Sequence, residues 1–271
     1  MHSSETPTPR RIRPAAVAGR FYPDDPDELQ REIAADLPTL EPAEHCPKAL
    51  IVPHAGYVYS GPVAGSGYAR LLPFRETIKR VVLLGPSHHV GFQGLAVSSA
   101  EAFATPLGLI PIDRASVERL LQMPQVSELD AAHATEHSLE VHLPFLQRVL
   151  DRFVLVPIVV GQTTAEDVAE VIESLWGGDE TLCVISSDLS HFHDWATAQR
   201  IDRQTADLIC ERNFEELTPQ RACGYLPVSG MLLVARERNL PVELLDLRNS
   251  GDTAGGHDRV VGYGSFAIFE S

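Results

Sequence analysis

The chain has 271 residues, of which 44% are hydrophobic, and its 37 acidic and 22 basic residues leave a formal net charge of −15 at pH 7. This is the composition of a globular protein, and the acidic balance argues against a surface that binds nucleic acid or anionic lipid. The longest apolar runs are far shorter than a membrane span, and four cysteines without a C-x-x-C pair favour reduced thiols in a cytoplasmic protein.

The chain divides into a short tail and one long region of alternating elements. Residues 1–12 are predicted to form a mobile N-terminal tail, and the apolar stretch after its twin arginine is too short for the core of an export signal. Residues 13–271 are predicted to form one domain, since no linker or repeat interrupts them. Apolar runs predict strands at 48–53, 80–85, 153–161, 181–187, 242–250 and 260–270, and a hairpin-like pair at 95–100 and 107–112.

Between these strands the apolar residues follow helical spacing. The clearest helices begin at the N-cap residues Asp113 and Thr164. The predicted helices cover 61–72, 113–123, 138–150, 164–176, 195–213 and a part of 224–239. Strands that alternate with helices, with early strands apolar on both faces, predict an α/β fold whose central β-sheet is covered by helices on both faces.

Polar side chains follow three of the predicted strands where each strand ends. His54 follows the strand at 48–53, and His88 and His89 follow the strand at 80–85 in "GPSHH". Asp188 and His191 follow the strand at 181–187 in "SSDLSHF". Ligands of open α/β sheets bind outside the carboxyl ends of the strands, so we expect these residues to converge. A metal ion is the simplest reason to gather several imidazoles there.

Two of these polar residues also have a plain structural interpretation. His89 is a candidate turn residue, because adjacent residues in extended chain point in opposite directions and His88 is better placed. Asp188 is a candidate cap for the helix that follows it. For His54 and His88 together the functional interpretation is favoured.

A second cluster of titratable residues lies in "HATEHSLEVHLP". His133 to His137 spells H-x-x-E-H, a zinc-protease pattern that requires a continuous helix through both histidines. The segment is instead predicted to be a loop that runs into a helix near Ser138, which disfavours the protease. Glu136, His137 and His142 are predicted to form a polar wall around the strand-end site. For His133, the alternative interpretation is that it is a solvent-exposed residue of a loop or a helix face.

Cys223 precedes a predicted helix start in "RACGYLPVSGMLL". A thiol near a helix start is more readily ionised and so better able to bind metal. A buried and inert thiol is the alternative for any lone cysteine. Spacing alone does not select Cys223.

A series of motifs runs through the chain in a defined order. They are "GRFYP", "PHAGYVYSG", "LLGPSHH", "EHSLEVHLPFL", "VPIVVG", "SSDLSHF", "CGYLPVSGML" and "GYGSFAI". Together they resemble the MEMO family, whose bacterial and archaeal members are known as AmmeMemoRadiSam system protein B. The resemblance covers residues 13–269.

The resemblance implies a fold, a ligand set and a catalytic pair. The implied fold is similar to that of class III extradiol dioxygenases, with a central mixed β-sheet and helices on both faces. His54, His88 and Cys223 match the family's HAG, GPSHH and CG motifs and are implied to hold one metal ion. Asp188 and His191 match its SSD-x-x-H motif and are implied to line the pocket, His191 at a position where the dioxygenases have an acid/base group.

One implied ligand departs from the dioxygenase pattern. Ring-cleaving dioxygenases hold iron(II) with two histidines and a carboxylate, whereas Cys223 stands here in place of the carboxylate. Because a thiolate is softer, the expected metal ion is iron or copper, with zinc as a further candidate. Extradiol ring cleavage is not expected, and fold resemblance alone does not assign an activity.

These observations lead to three alternative hypotheses about function. The first is a metal-dependent oxidoreductase that uses the His/His/Cys pocket. The second is a non-enzymatic binding protein whose pocket captures a peptide or small acid, with AMMECR1-like and radical-SAM proteins as the partners that the family name implies. The third, a hydrolase using Ser87 or Ser190, is disfavoured because the G-x-S-x-G nucleophile elbow is absent.

Overall fold

A computed structural model of the chain describes residues 11–40 and 45–270. Residues 1–10 of the predicted tail lie outside the described residues, and Ile12 begins the first strand. The strands are β1 (Ile12–Arg13), β2 (Pro47–Val52), β3 (Arg80–Pro86), β4 (Leu95–Val97), β5 (Ala102–Thr105), β6 (Gly108–Pro111), β7 (Val126–Glu128), β8 (Val154–Val160), β9 (Thr181–Ser186), β10 (His191–His193), β11 (Val242–Asn249) and β12 (Val260–Phe269).

The helices alternate with these strands. They are α1 (Pro26–Asp36), α2 (Tyr57–Tyr68), α3 (Arg114–Leu120), α4 (Asp130–Ala134), α5 (His142–Val149), α6 (Ala165–Ser174), α7 (Trp195–Glu211), α8 (Tyr225–Glu237) and α9 (Ser250–Thr253), with 3₁₀ turns at Ala69–Phe74 and Phe214–Glu216. No helix in 11–40 or 45–270 combines the length and apolar character that crossing a bilayer requires.

The main sheet is mixed and has nine strands. Eight of them follow the order β10-β12-β2-β9-β3-β8-β4-β7, and the ninth, β11, pairs with β12 on the edge opposite β2. The centre of the sheet, β2-β9-β3-β8, is parallel, whereas β12 runs antiparallel to β2, and β4 runs antiparallel to β8 but parallel to β7. Every residue of β2 and β9 is buried. This burial on both faces explains why most residues of these strands are apolar, although Lys48, Thr181 and Ser186 are buried there as well.

Helices cover both faces of the main sheet, as the sequence predicts. α2 packs on β2 and β12 and carries α1 and α5 against it, while α8 lies on β3 and β9 and carries α6. The N-caps predicted at Asp113 and Thr164 are confirmed, since each side chain accepts a backbone N–H bond at the start of α3 or α6. The α/β class and the single domain with a central mixed sheet are therefore confirmed.

The predicted pairing of 95–100 with 107–112 is wrong. β4, which takes up the first half of 95–100, is instead antiparallel to β8 in the main sheet. The hairpin is formed by β5 and β6, and β1 joins them in a separate three-stranded sheet. Three apolar residues are too few to indicate which strand β4 pairs with, because tertiary contacts determine that pairing. Helix α1, with its N-cap Asp25, was not predicted from the sequence.

Candidate metal centre

Neighbouring parallel strands bring polar side chains to one edge of the main sheet. β2, β9 and β3 lie side by side, with Val52 of β2 in register with Ser186 of β9. His54, His88 and Asp188 each follow the end of one of these strands by two residues. The structure therefore brings together three residues that are far apart in sequence, at the carboxyl edge where α/β sheets bind ligands.

Three side chains at this edge offer ligand atoms of the kind that transition metals bind. One ligand atom each from His54, His88 and Cys223 lies within 4.8 Å of the other two. His54 is buried, Cys223 is half-buried, and the His88 side chain is 27% exposed, which leaves the group open to solvent on one side. Ligand atoms at about 2.0–2.3 Å from one ion lie at most about 4.6 Å apart, so small movements suffice for closure.

Backbone hydrogen bonds hold Cys223 at this edge. Its N–H donates to the carbonyl of Asp188 at 3.3 Å, and the N–H of Gly224 donates to the Ser187 hydroxyl at 3.0 Å. A side chain at Gly224 would not fit, because its Cβ would lie 2.4 Å from the carbonyl oxygen of Ser186. The glycine of the "CG" motif thus allows the loop before α8 to approach β9 closely.

His54 lies between Cys223 and Asp188. Its Nε2 is 3.2 Å from the Cys223 sulfur, and its backbone N–H donates to Asp188 Oδ1 at 2.8 Å. Burial, with neighbouring histidines, lowers the pKa of His54 well below its usual value, and burial, with the Asp188 charge, raises the pKa of the Cys223 thiol. At neutral pH the pair is an imidazole and a thiol, so a metal ion that binds the sulfur must release its proton.

Glu136 holds the second histidine. It accepts the His88 backbone N–H at 2.6 Å through Oε2 and the His88 Nδ1 at 2.9 Å through Oε1. Burial alone would raise the pKa of Glu136, but its hydrogen bonds and charge interaction with His88 lower it to about 2. An ionised carboxylate can only accept, so Nδ1 of His88 carries the proton and Nε2 is the nitrogen free to bind a metal.

His137 and His89 flank His88 differently. His137 stacks on His88 with ring centroids 4.5 Å apart, and His88, Glu136 and His137 form a second group of closely spaced ligand atoms. In that group Glu136 Oε1 already accepts from His88 Nδ1 and from the backbone N–H groups of His137 and Ser138. We therefore favour the His54, His88 and Cys223 group. His89 is exposed, its ring 6.5 Å from that of His88, at the rim of the site.

Asp188 lies beside His54, and His191 is near enough for its charge to influence the pKa values of His54 and Asp188. Asp188 does not cap a helix, because its Oδ1 binds the backbone of His54 and its Oδ2 lies 4.0 Å from His54 Nε2. Burial raises the pKa of Asp188 to about 6. Nδ1 of His191 lies 2.9 Å from the Leu189 carbonyl and must donate to it, so any proton that this ring exchanges would pass through Nε2. The acid/base roles of both residues stay predictions.

The zinc-protease pattern is not formed. α4 ends at Ala134, so no continuous helix carries both His133 and His137. The solvated interpretation of His133 is wrong, because the residue is 2% exposed and its Nε2 lies 3.0 Å from the carbonyl oxygen of Ala96. This histidine is a buried structural residue.

The structure also assigns a contact to His142 and reveals residues that the sequence did not single out. His142 is buried, and its Nε2 lies 2.8 Å from the hydroxyl of Ser186, which in turn contacts His54. Ser186, Ser138 and Tyr68 were all missed. The only signal for Ser186 in the sequence was a pair of serines at the end of an apolar strand. Many strands end in this way, so the pair does not indicate a functional residue.

Neither candidate nucleophile is arranged for hydrolysis. The hydroxyl of Ser87 donates to the Val90 carbonyl at 2.7 Å, and the buried hydroxyl of Ser190 has no hydrogen-bond partner among the described residues. The hydrolase hypothesis requires a histidine within hydrogen-bond reach of the nucleophilic serine, to act as its general base. The hydrolase hypothesis gains no support.

Fold and donor set together define an α/β protein with a candidate mononuclear metal centre at the carboxyl edge of its main sheet. The sequence profile described as "Memo-like protein" matches residues 13–267, so the chain belongs to the MEMO family.

Relatives over nearly the whole chain support the same assignment. MEMO1 family proteins of Aquifex aeolicus and Methanosarcina barkeri are each 37% identical to it, over 93% and 95% of this chain and 97% and 100% of their own lengths. A MEMO1 family protein of Sulfolobus acidocaldarius is 32% identical over 93% of this chain and 97% of its own. A solved structure of an uncharacterized Escherichia coli K12 protein is a distant likeness, with 14% identity and a TM-score of 0.47 over 80% of this chain and 98% of that chain.

Proposed function

We propose that this protein binds one metal ion, iron or copper, through His54, His88 and Cys223. The observation that carries the proposal is the convergence of three ligand atoms from separate segments to within 4.8 Å of one another. Two imidazoles and a thiolate suit copper, iron and zinc better than magnesium or calcium, which prefer oxygen ligands.

The surroundings of the three side chains fit this use. Glu136 occupies Nδ1 of His88, so that Nε2 of His88 is available as a ligand. Three protein ligands leave coordination positions for a small molecule. When bound, an iron or copper ion supplies redox and Lewis-acid chemistry to a molecule in those positions.

Asp188 and His191 would handle protons in such a site. A buried carboxyl with a pKa of about 6 can change its protonation state near neutral pH, and Nε2 of His191 can accept a proton. Together with a redox-active metal ion, these groups would suit an oxidoreductase related to the extradiol dioxygenases. Cys223, in place of the dioxygenase carboxylate, argues against ring cleavage as its reaction.

Metal content tests the proposal. Wild-type protein purified anaerobically is expected to carry about one metal ion per chain. His54→Ala and Cys223→Ser are each expected to reduce the metal content to background, because each removes a ligand and leaves only two. Elemental analysis of the purified proteins measures the content and identifies the metal.

Cys210→Ser is the matched control for Cys223→Ser. It makes the same exchange at a half-buried cysteine of α7 that belongs to neither group of ligand atoms. It is expected to retain the wild-type metal content. Equal metal content in all four proteins would refute the proposal.

The second candidate function is non-enzymatic binding at the same edge. It is favoured by Phe192, which follows His191, is 61% exposed and has the Arg259 guanidinium 4.9 Å from its ring centroid. An exposed aromatic ring suits contact with a peptide or a partner protein. For this candidate, wild-type protein is expected to recover AMMECR1-like and radical-SAM proteins from cells, and Phe192→Ala to recover much less. Equal recovery by both, or none by either, would count against it.

A further inference from the structure

We infer that Ser186 is a positioning residue that keeps the His54 proton on Nδ1 and so leaves Nε2 free as a metal ligand. The expected effect of Ser186 on metal affinity rests on the proposed metal function. The arrangement of hydrogen bonds stands independently of any metal.

The Ser186 hydroxyl is the branch point of a buried network. Its oxygen lies 2.5 Å from the carbonyl oxygen of Ser138, 2.6 Å from Nδ1 of His54 and 2.8 Å from Nε2 of His142. Ser186 is fully buried, and His54 and His142 are 2% and 1% exposed. The protein groups must therefore satisfy one another without help from bulk water.

Proton counting assigns each hydrogen bond. A hydroxyl has one proton to donate and two lone pairs that accept, whereas a carbonyl oxygen can only accept. The single proton of Ser186 must therefore go to Ser138. Both imidazoles must then donate to Ser186, His54 through Nδ1–H and His142 through Nε2–H.

The two outer ends of the network agree with this assignment. His142, with its proton on Nε2, has a free Nδ1 that accepts from the Tyr68 hydroxyl at 2.9 Å. His54, with its proton on Nδ1, has a free Nε2 that faces the Cys223 sulfur at 3.2 Å. A thiol can donate to that nitrogen, and a metal ion can take the place of the thiol proton.

The opposite tautomer of His54 is disfavoured by the same contacts. With the proton on Nε2, the Nδ1 lone pair would face a Ser186 oxygen whose only proton is already given to Ser138. A buried polar atom without a partner costs about 1–3 kcal/mol, which is enough to favour one tautomer about 5–150-fold. In that tautomer Nε2–H would also block the ligand position.

Imidazole nitrogen NMR of the full chain, labelled with ¹⁵N-histidine and treated with chelator, tests the tautomer. A nitrogen that carries a proton resonates far from one that does not, and comparison with His54→Gln assigns the His54 signals. Wild-type protein is expected to show the proton on Nδ1 of His54. Ser186→Ala is expected to move a large part of the population to the Nε2–H form. Tyr68→Phe removes only the outermost donor and is expected to perturb His142 more than His54.

Zn²⁺ affinity, measured in competition with a chelator, tests the consequence. Ser186→Ala is expected to bind Zn²⁺ about 10–100-fold more weakly than wild type, the usual loss when the partner of a ligand histidine is removed. Ser265→Ala is the matched control, since it removes from β12 of the same sheet a buried hydroxyl that has no hydrogen-bond partner in the described part of the chain. It is expected to change neither the His54 tautomer nor the affinity.

The results separate this inference from the proposed function. A wild-type protein with the His54 proton on Nε2 overturns the inference whether or not any variant folds. An Ser186→Ala protein that retains the Nδ1–H form and the wild-type affinity overturns it as well. If wild type shows the Nδ1–H form but binds no metal, the hydrogen-bond assignment is upheld and the metal proposal fails.

Discussion

Glu136→Gln is expected to weaken metal binding by about 10–100-fold and to lower the free energy of unfolding by about 1–3 kcal/mol or more. Both carboxylate oxygens of Glu136, which is 2% exposed, accept hydrogen bonds from N–H groups. An amide has only one accepting oxygen, so its NH₂ group must take the place of Oε1, which accepts from His88 Nδ1 and two backbone N–H groups, or of Oε2, which accepts from the His88 backbone N–H. Either orientation leaves a buried backbone donor without its acceptor, and the first also removes the acceptor that holds the His88 ring. Chelator competition measures the affinity and urea unfolding the stability.

The effect of Glu136→Gln on stability is expected to depend on pH. The folded protein lowers the pKa of Glu136 from its ordinary value of 4.5 to about 2. Ionised Glu136 therefore contributes up to about 3 kcal/mol to the free energy of unfolding. This contribution is fully present above pH 4.5 and is lost as the pH falls through 2. The stability difference between wild type and variant should narrow as the pH falls below 4.5.

Glu118→Gln is the control for Glu136→Gln, because Glu118 is an exposed residue of α3. It is expected to match wild type in affinity and in the pH dependence of its stability. A Glu136→Gln protein that matches wild type in both would show that Glu136 does not hold His88.

The sheet and one side of the site could be predicted because both follow from local sequence. A strand buried on both faces is apolar along most of its length, so β2, β3, β8 and β9 are visible as short hydrophobic runs. Parallel strands end at the same edge, so the residues just after them are brought together by topology alone. His54, His88 and Asp188 could therefore be placed without knowledge of any long-range contact.

The other side of the site could not be predicted in this way because its contacts have no local signature. Cys223 meets His54 across 169 positions of the sequence, and only the family resemblance selected it over the other cysteines. Ser186 meets His54 across 132 positions and has the side chain of many strand ends. His133 was open to a solvated role because its segment was predicted to be a loop, although packing against β4 buries it.

The N-terminal segment joins the rest of the molecule through a second buried carboxylate, that of Glu140. Arg13 forms an ion pair with Glu140, in which the Arg13 side chain is 6% exposed and the Glu140 side chain 0%. Glu140 also accepts the backbone N–H groups of Ala16 and Val17 at 2.8 and 2.9 Å and the Tyr22 hydroxyl at 2.6 Å. The "GRFYP" motif, which contains Tyr22, is thus tied to the segment that follows Glu136.

Glu140→Ala is expected to destabilise the fold by about 3–5 kcal/mol, the cost of removing one partner from a buried ion pair. The Arg13 charge would stay buried without its carboxylate, and the Tyr22 hydroxyl would lose its acceptor. Urea unfolding measures the loss, and hydrogen exchange should show the Ala16 and Val17 amides losing protection. Asp151→Ala, which breaks the exposed pair of Asp151 with Arg75, should cost less than about 1 kcal/mol. Equal small losses in both variants would mean that the N-terminal segment is held by apolar packing and not by Glu140.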